Sequence, residues 1–275
     1  METQTNRIVE KNKQSWDDFS ELHMKYNHSE KILRPILDDP AEAFPRPVWE
    51  QLRRFVPELR GKRVCVPSSG DNLAVYAFAL LGAVVTSCDI SEKQLEAARR
   101  TAERIGLGET VRFVCADTMR LEGLEDEAYD LVYTSNGVHV WLNDLPAMYR
   151  SVYRILKPGG ISLWYDVHPF TRPFDDRMKV IKPYDLTGPF EDEYNVNFLW
   201  RVQDLLNAVM DAGLLLAHIE EIMPEKDDKH PFWISNEELV NGVEISREEL
   251  DRMYDPENNP RAALPAWLCA VGRRP

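Results

Sequence analysis

Short apolar runs alternate with helical spacings along the middle of the chain. Residues 64–66 form a run rich in β-branched side chains, a polar turn follows at 67–71, and residues 73–81 are small and apolar. A second apolar run at 83–87 ends at Asp89. Such runs are typical of strands buried in a parallel sheet. The pattern predicts a strand, a turn, a helix and a second strand, the unit that binds a nucleotide in doubly wound sheets.

The alternation continues towards the C-terminus with longer interruptions. The further predicted elements are helices at 92–105, 145–155, 198–212 and 246–253, and strands at 111–115, 130–135, 161–165, 214–222 and 266–271. Residues 167–195 are rich in aromatic residues and proline without a period, and residues 224–264 are charged and irregular. We expect both segments to be insertions, and the first is a candidate cover for a site at the end of the fifth strand.

The first 60 residues precede the first predicted strand. An apolar 3–4 spacing predicts a helix at 12–26, and a short helix is expected at 48–55. Between them, prolines are expected to break the chain at Pro35, Pro40, Pro45 and Pro47. We therefore expect an N-terminal helical extension at 1–60 and one domain at 61–275, with insertions at 167–195 and 224–264.

Composition narrows the class of protein. Hydrophobic content is 44% and charged content 29%, no apolar run approaches membrane-spanning length, and the N-terminus is polar. We expect a cytoplasmic protein without a membrane segment. The net charge of -13 makes nucleic acid an unlikely partner on average, although a local basic patch stays open.

The four cysteines lie in apolar runs without a Cys-x-x-Cys pair, at Cys65, Cys88, Cys115 and Cys269. This placement predicts reduced, largely buried thiols. Histidines and cysteines do not cluster with ligand spacing, so no metal site is predicted.

The turn at 67–72 separates two classes of nucleotide-binding protein. A dinucleotide fold requires Gly-x-Gly-x-x-Gly, of which only Gly70 is present. The segment instead resembles motif I of class I S-adenosylmethionine-dependent methyltransferases, Asp/Glu-x-Gly-x-Gly-x-Gly. Ser68, Gly70 and Asn72 then occupy the three glycine positions, and Val66 stands where the acid normally lies.

A second segment resembles motif IV of small-molecule methyltransferases. The strand that begins at Asp130 continues into a Ser-Asn pair, a tryptophan and an aspartate on the pattern Ser-Asn-Ala-x-x-x-Trp-x-x-Asp. The matching residues are Ser135, Asn136, Trp141 and Asp144. The Asp/Asn-Pro-Pro-Tyr/Phe signature of enzymes that methylate nucleic-acid bases is missing. The resemblance covers residues 60–223 well.

The resemblance implies a Rossmann-like α/β fold: a doubly wound, mostly parallel seven-stranded sheet with an antiparallel C-terminal strand. It implies S-adenosyl-L-methionine as cofactor and S-adenosyl-L-homocysteine as product. The positions implied to bind the cofactor are Pro67, Ser68, Ser69, Gly70, Asn72, Asp89, Ile90, Asp117, Thr118, Met119, Ser135, Asn136 and Gly137. Among them, Asp89 would accept the ribose hydroxyls and Asp117 the adenine amine.

Two histidines at the carboxyl edge of the sheet are candidate general bases, His168 after the fifth strand and His139 after the fourth. Either is equally open to a structural role. The candidate substrate residues are Trp16, Tyr26, Trp141, Tyr165 and Phe170. The N-terminal helix is either a lid over the methionine end of the cofactor or a helix packed on the side of the domain.

The sequence therefore predicts a methyltransferase that acts on a small, partly apolar or aromatic acceptor through an oxygen, nitrogen or carbon atom. Two alternatives remain open. One is a tRNA or protein methyltransferase. The other is a non-catalytic S-adenosylmethionine-binding module, which the loss of the acid at Val66 and of two motif I glycines favours.

Overall fold

A computed structural model describes residues 2–175, 177–226 and 231–275. The helices are α1 Glu2–Asn27, α2 Glu30–Asp38, α3 Arg46–Phe55, α4 Ala74–Leu80, α5 Glu92–Arg104, α6 Leu145–Ile155, α7 Val202–Asp211, α8 Asn236–Val240 and α9 Arg247–Met253. The strands are β1 Arg63–Val66, β2 Val84–Asp89, β3 Val111–Cys115, β4 Tyr129–Ser135, β5 Leu156–Val167, β6 Phe190–Glu191, β7 Val196–Asn197, β8 Leu215–Ile222 and β9 Trp267–Arg273. Residue 176 of the first predicted insertion and residues 227–230 of the second lie outside the described residues.

Seven of these strands form one sheet in the order β3-β2-β1-β4-β5-β9-β8. The pairs from β3 to β5 are parallel, whereas β9 runs antiparallel to both β5 and β8. The predicted fold class is confirmed. Because the strand order reverses between β1 and β4, a crevice opens at their carboxyl ends, where open α/β sheets bind ligands.

Helices cover both faces of the sheet. On one face α2, α3 and α4 bury a core around Leu52, Phe78 and Tyr133. On the other, α6 and α7 pack around Tyr149 and Trp164. The strands between them are buried on both sides, as their continuous apolar sequences predict.

The predicted break at Pro35 is wrong, because this proline lies inside α2. Its missing N–H removes one helical hydrogen bond, but the helix buries Ile32, Leu33 and Ile36 against the core. The Pro35 carbonyl still accepts a hydrogen bond from the Asp39 N–H at 2.8 Å. The free energy gained by burying this apolar face exceeds the cost of the missing hydrogen bond.

The fifth strand is longer than predicted. The sequence predicts a turn at 157–160, but β5 begins at Leu156 and includes these residues. Its register against β4 shifts between Tyr129 and Leu131, and Gly159 has a φ of +79°. A Cβ on Gly160 would lie 2.8 Å from the Lys157 carbonyl oxygen. An irregularity in the ladder thus accommodates a Pro-Gly-Gly sequence that would otherwise end a strand.

Two smaller expectations also change. Helix α7 begins at Val202 rather than 198, because the Phe198 N–H donates to the Val140 carbonyl at 2.8 Å and holds the preceding residues extended. Three of the cysteines are buried, but Cys115 is exposed. In the ranges that the structure describes, no helix is long and apolar enough to cross a membrane.

Candidate active site

A cavity of about 350 Å³ lies at the crevice where the strand order reverses. Of the residues predicted to bind a cofactor, those that line it are Ser68, Ser69, Gly70, Asn72, Asp89, Ile90, Asp117, Thr118, Met119, Ser135, Asn136 and Gly137. Pro67 does not line it. Trp16 and Trp141, both predicted to contact the substrate, also belong to the wall. The structure therefore brings together predicted residues from five separate stretches of sequence.

The turn after β1 keeps a tight shape although two glycine positions of motif I are replaced. Ser68 adopts a φ of +47° and Gly70 a φ of +38°, so the left-handed geometry is present at a serine. The Ser68 hydroxyl lies 2.7 Å from the Thr118 hydroxyl, and the Ser69 hydroxyl lies 2.8 Å from that of Ser87. These side-chain hydrogen bonds tie the turn to neighbouring strand tips.

Asp89, at the tip of β2, is the buried acid of the cavity. One carboxylate oxygen accepts the Gly70 N–H at 2.8 Å, and the other accepts the Ser91 N–H at 2.9 Å. Burial raises the pKa of Asp89 to about 6, with these hydrogen bonds acting in the opposite direction. A Cβ added to Gly70 would lie 3.6 Å from the carboxylate, so glycine keeps the space beside it open.

The tip of β3 contributes the opposite end of the cavity. The Asp117 side chain accepts the Met119 N–H at 2.9 Å and fixes the loop conformation. Burial raises the pKa of Asp117. An acid, a hydroxyl and a thioether at consecutive positions 117–119 can together contact a flat ring and its exocyclic amine.

The tip of β4 forms the floor between these two ends. Asn136 has a φ of +64° and Gly137 a φ of +85°, so two successive residues are left-handed. The Asn72 amide donates to the Ser135 hydroxyl at 2.9 Å and connects the first turn to this tip. Non-glycine residues in this conformation cluster at ligand sites.

Helix α1 forms the roof, and it supplies residues that the sequence analysis missed. Val9, Asn12, His23 and Asn27 line the cavity together with Trp16. Trp16 packs edge-on against Trp141 with ring centroids 5.3 Å apart. The missed residues share one helical face with Trp16, but the predicted helix at 12–26 is shorter than α1 and leaves out Val9 and Asn27.

A second cavity of about 710 Å³ adjoins the first. The two share Ala43, Asn136 and Asn236 in their walls. Tyr165, a predicted substrate residue, lines the second cavity, whereas the predicted residues Tyr26 and Phe170 line neither. Phe170 is 45% exposed to solvent.

The predicted base His139 is buried behind the floor rather than in either cavity wall. Its Nδ1 lies 2.7 Å from an Asp166 carboxylate oxygen, and its Nε2 lies 2.8 Å from the Tyr149 hydroxyl. Burial acts to raise the pKa of Asp166, but the hydrogen bond and charge of His139 outweigh it and leave the pKa below its usual value. Both ring nitrogens of His139 are therefore occupied.

The other predicted base, His168, also lies outside both cavity walls. Its Nε2 lies 3.0 Å from a Glu221 carboxylate oxygen, and its Nδ1 accepts the Phe170 N–H. Burial lowers the pKa of His168, and Glu221 partly offsets this effect. The structure does not bring either histidine together with the residues predicted to bind the cofactor.

Comparison with known proteins identifies the fold's relatives. Residues 67–164 match a family model described as a methyltransferase domain. A Mesorhizobium loti S-adenosylmethionine-dependent methyltransferase of known structure superimposes with a TM-score of 0.60 at 25% identity, covering 86% of this chain and all of that one. The chain is a class I S-adenosylmethionine-dependent methyltransferase.

Two curated relatives agree with this assignment. The uncharacterized methyltransferase YbaJ of Bacillus subtilis is 25% identical over 235 residues, which are 78% of this chain and 91% of YbaJ. A sterol 24-C-methyltransferase of Aspergillus fumigatus is 29% identical over 149 residues, covering 54% of this methyltransferase but only 38% of the sterol enzyme.

The first cavity of the methyltransferase fits its cofactor, S-adenosylmethionine. The Asp89 carboxylate can accept hydrogen bonds from ribose hydroxyls, and the turn at Gly70 leaves room beside it. Residues 117–119 offer a contact surface for a purine ring. When bound, this cofactor supplies an electrophilic methyl group on a sulfonium sulfur.

Proposed function

We propose that the methyltransferase transfers the methyl group to a small, partly apolar or aromatic molecule held in the second cavity. One observation supports this proposal above the others: the two cavities meet at Ala43, Asn136 and Asn236. A donor in one cavity and an acceptor in the other would face each other at this junction.

The proposed orientation of the cofactor follows from the acids at the strand tips. Asp89 would hold the ribose hydroxyls, and Asp117 with Thr118 and Met119 would hold the adenine. The methionine part would then lie between the turn after β1 and Asn136, beneath Trp16. This places the reacting end beside the second cavity.

The chemical step demands alignment and exclusion of water more than activation. A well-oriented pair of reactants can gain on the order of 7–11 kcal/mol relative to free encounter. Trp16 in the roof would pack against Trp141 in the wall and exclude water, and Asn136 would orient the acceptor at the junction. Burial raises the pKa of Tyr165, so its phenol keeps its proton and can donate a hydrogen bond to the acceptor.

We propose that His139 positions the floor of the site rather than removing a proton. It anchors the segment that follows β4, because its backbone N–H and its Nδ1 both contact the same Asp166 oxygen. That segment carries Val138 and Trp141 into the cavity wall. His168 as a base stays a prediction without a contact to either cavity.

We also propose that residues 1–60 act as the lid of a domain at 61–275. Asn12 supports this, because its side chain accepts the Val196 N–H at 2.8 Å and donates to the Val196 carbonyl at 3.0 Å. Ser91 donates to Asp17 at 2.6 Å from the other side. Helix α1 is thus fastened to both flanks of the cavity.

The test is transfer of a labelled methyl group. The enzyme is incubated with methyl-labelled S-adenosylmethionine and, in separate reactions, with small phenols and amines, total RNA and lysate protein. We expect label in small molecules only. At a cofactor concentration below saturation, Asp89→Asn should transfer at least several-fold less label, whereas Asp38→Asn on the exposed end of α2 should behave like the wild type. Label in RNA or protein would contradict the proposed acceptor class.

A further inference from the structure

The second cavity has an aromatic wall assembled from distant parts of the chain. Its five rings are Phe44, Trp49, Tyr165, Phe232 and Trp267. Phe44 and Trp49 stack with an interplanar angle of 16° and centroids 5.6 Å apart. Trp267 contacts both Tyr165 and Phe232 edge-on, each at 5.5 Å between centroids. Rings held in fixed mutual orientations favour flat guests, because flat faces and edges pack against them without reorganisation.

The charges around this cavity are predominantly negative. Its described ionisable lining residues besides Tyr165 are Glu42, Arg46 and Glu225. Arg46 lies 3.1 Å from the carboxylate of Glu225 and 3.8 Å from that of Glu50, so an entering anion would compete with these two carboxylates for its guanidinium. Glu42 is exposed at the rim. An anion entering here would lose hydration without meeting a free cation among the described lining residues.

Polar groups are concentrated at the junction with the first cavity. Asn136 and Asn236 belong to both walls, and Asn236 donates to the Asn27 side chain of α1 at 2.9 Å. Tyr165 lies on the same side, beside Ser135 and Asn136. The remaining wall is largely apolar, with Ala41, Ile222, Ile234 and Leu239 between the rings. A guest would therefore place its polar atom at the junction and its ring in the aromatic wall.

We infer that the acceptor of this methyltransferase is a planar, ring-containing molecule that carries no negative charge, with its nucleophilic atom at Asn136 and Tyr165. The inference rests on the proposed function and goes beyond it by specifying shape and charge. A neutral ring gains from the aromatic wall alone, and a cationic one gains further from the ring faces and the acidic rim. An acceptor with a phosphate or carboxylate group is disfavoured.

The test uses three ligands with one shape and three charges: 2-naphthol, 2-naphthylmethylammonium and 2-naphthoate. Binding to the enzyme saturated with S-adenosylhomocysteine is measured by calorimetry at pH 7.5. We expect the neutral and cationic ligands to bind at least tenfold more tightly than the carboxylate. Equal or tighter binding of 2-naphthoate, or no binding of any ligand, would overturn the inference.

Single substitutions test whether the naphthalene ligands bind in this cavity. Trp49→Ala should weaken 2-naphthol at least fivefold, whereas Phe170→Ala, which removes an exposed ring outside both cavities, should leave it unchanged. Glu42→Lys should lower the ratio of the 2-naphthoate to the 2-naphthol dissociation constant at least threefold. Glu42 is exposed, so this substitution should leave the fold intact. An unchanged preference would contradict the charge argument.

The same experiment tests the proposed function separately from the inference about the acceptor. Binding of S-adenosylhomocysteine is measured first, without any naphthalene ligand. If it fails to bind, the proposed function itself is wrong. If it binds and the charge series shows no preference, only the inference about the acceptor fails.

Discussion

At the scale of single residues, the ionisation of Asp89 should control cofactor affinity. Its carboxylate has a pKa of about 6 in the free protein, because burial disfavours the charged form. Ribose hydroxyls donate hydrogen bonds, so bound cofactor favours the ionised form and binding releases a proton near pH 6. Affinity should be constant above about pH 7 and fall towards tenfold per pH unit well below the pKa.

Calorimetric titration of S-adenosylhomocysteine from pH 5 to pH 8, in buffers of different ionisation enthalpy, measures both effects. Asp89→Asn should bind at least tenfold more weakly, a loss of about 1.4 kcal/mol, and should lose most of the pH dependence. Affinity that stays flat down to pH 5 in the wild type would show that Asp89 does not contact the cofactor.

Asn136 provides a test of the backbone at the junction. With a φ of +64°, alanine in its place pays the left-handed penalty that glycine avoids. Asn136→Ala should therefore be less stable than Asn136→Gly by about 1 kcal/mol in denaturant unfolding. At Asn241, where φ is -74°, the glycine variant should not be more stable than the alanine variant. Equal stability of the two Asn136 variants would remove the argument for strain at this position.

His139 should affect stability because it compensates a buried acid. His139→Ala leaves Asp166 with the Val167 N–H and with Arg172, 4.0 Å away, as remaining partners. The cost should therefore lie at the lower end of the about 3–5 kcal/mol that breaking a buried pair costs. His218→Ala, which removes a half-exposed pair with Glu220, should cost less than about 1 kcal/mol. Chemical unfolding measures both. A stable His139→Ala enzyme with full cofactor affinity would contradict the positioning role.

At the scale of elements, the attachment of α1 decides whether the cavity has a roof. Asn12 is 2% exposed and satisfies both backbone polar groups of Val196. Asn12→Ala leaves those groups without partners, at a cost of about 1–3 kcal/mol. Amide hydrogen exchange in α1 should accelerate, and S-adenosylhomocysteine should bind more weakly. Gln14→Ala, which removes only an exposed contact to Asp18, is the matched control.

The same elements show what local sequence patterns could predict. The seven strands of the main sheet and α4, α5 and α6 follow from apolar runs and caps, such as Ser91 accepting the Gln94 N–H at 3.0 Å. The short strands β6 and β7 were not predicted. Pro35 and the Pro-Gly-Gly run at 158–160 misled the prediction, because tertiary burial and a ladder irregularity override local preference there. The capping box at Ser235 and Glu238 marks α8, which the sequence analysis left within an irregular segment.

At the scale of the whole molecule, the two cavities differ in how far sequence could reveal them. The first is built at strand tips in motif order, so a resemblance at 67–72, Asp89, Asp117 and Asn136 located it. The second combines residues 41–46, Trp49, 222–225, 231–239 and Trp267, which share neither a motif nor a period. Only folding brings these segments together, so Trp49, Phe232 and Trp267 were not predicted.

For two histidines, position in the sequence predicted a place in the site that their side chains do not occupy. Position at the carboxyl edge of the sheet suggested His139 and His168 as bases, but strand tips also carry side chains that turn away from the crevice. Hydrogen-bond partners on other elements, Tyr149 and Glu221, determine where these rings lie. His23, on an element outside the sheet, is the imidazole in the cavity wall instead.

The most direct test of the account is a crystal structure of the enzyme with S-adenosylhomocysteine. We expect ribose hydroxyls at Asp89, adenine beside residues 117–119, and the sulfur beside Asn136 with an open path into the cavity lined by Trp49 and Trp267. A cofactor bound in the reverse direction, or a sulfur separated from that cavity by a closed wall, would contradict the central claim that donor and acceptor meet at this junction.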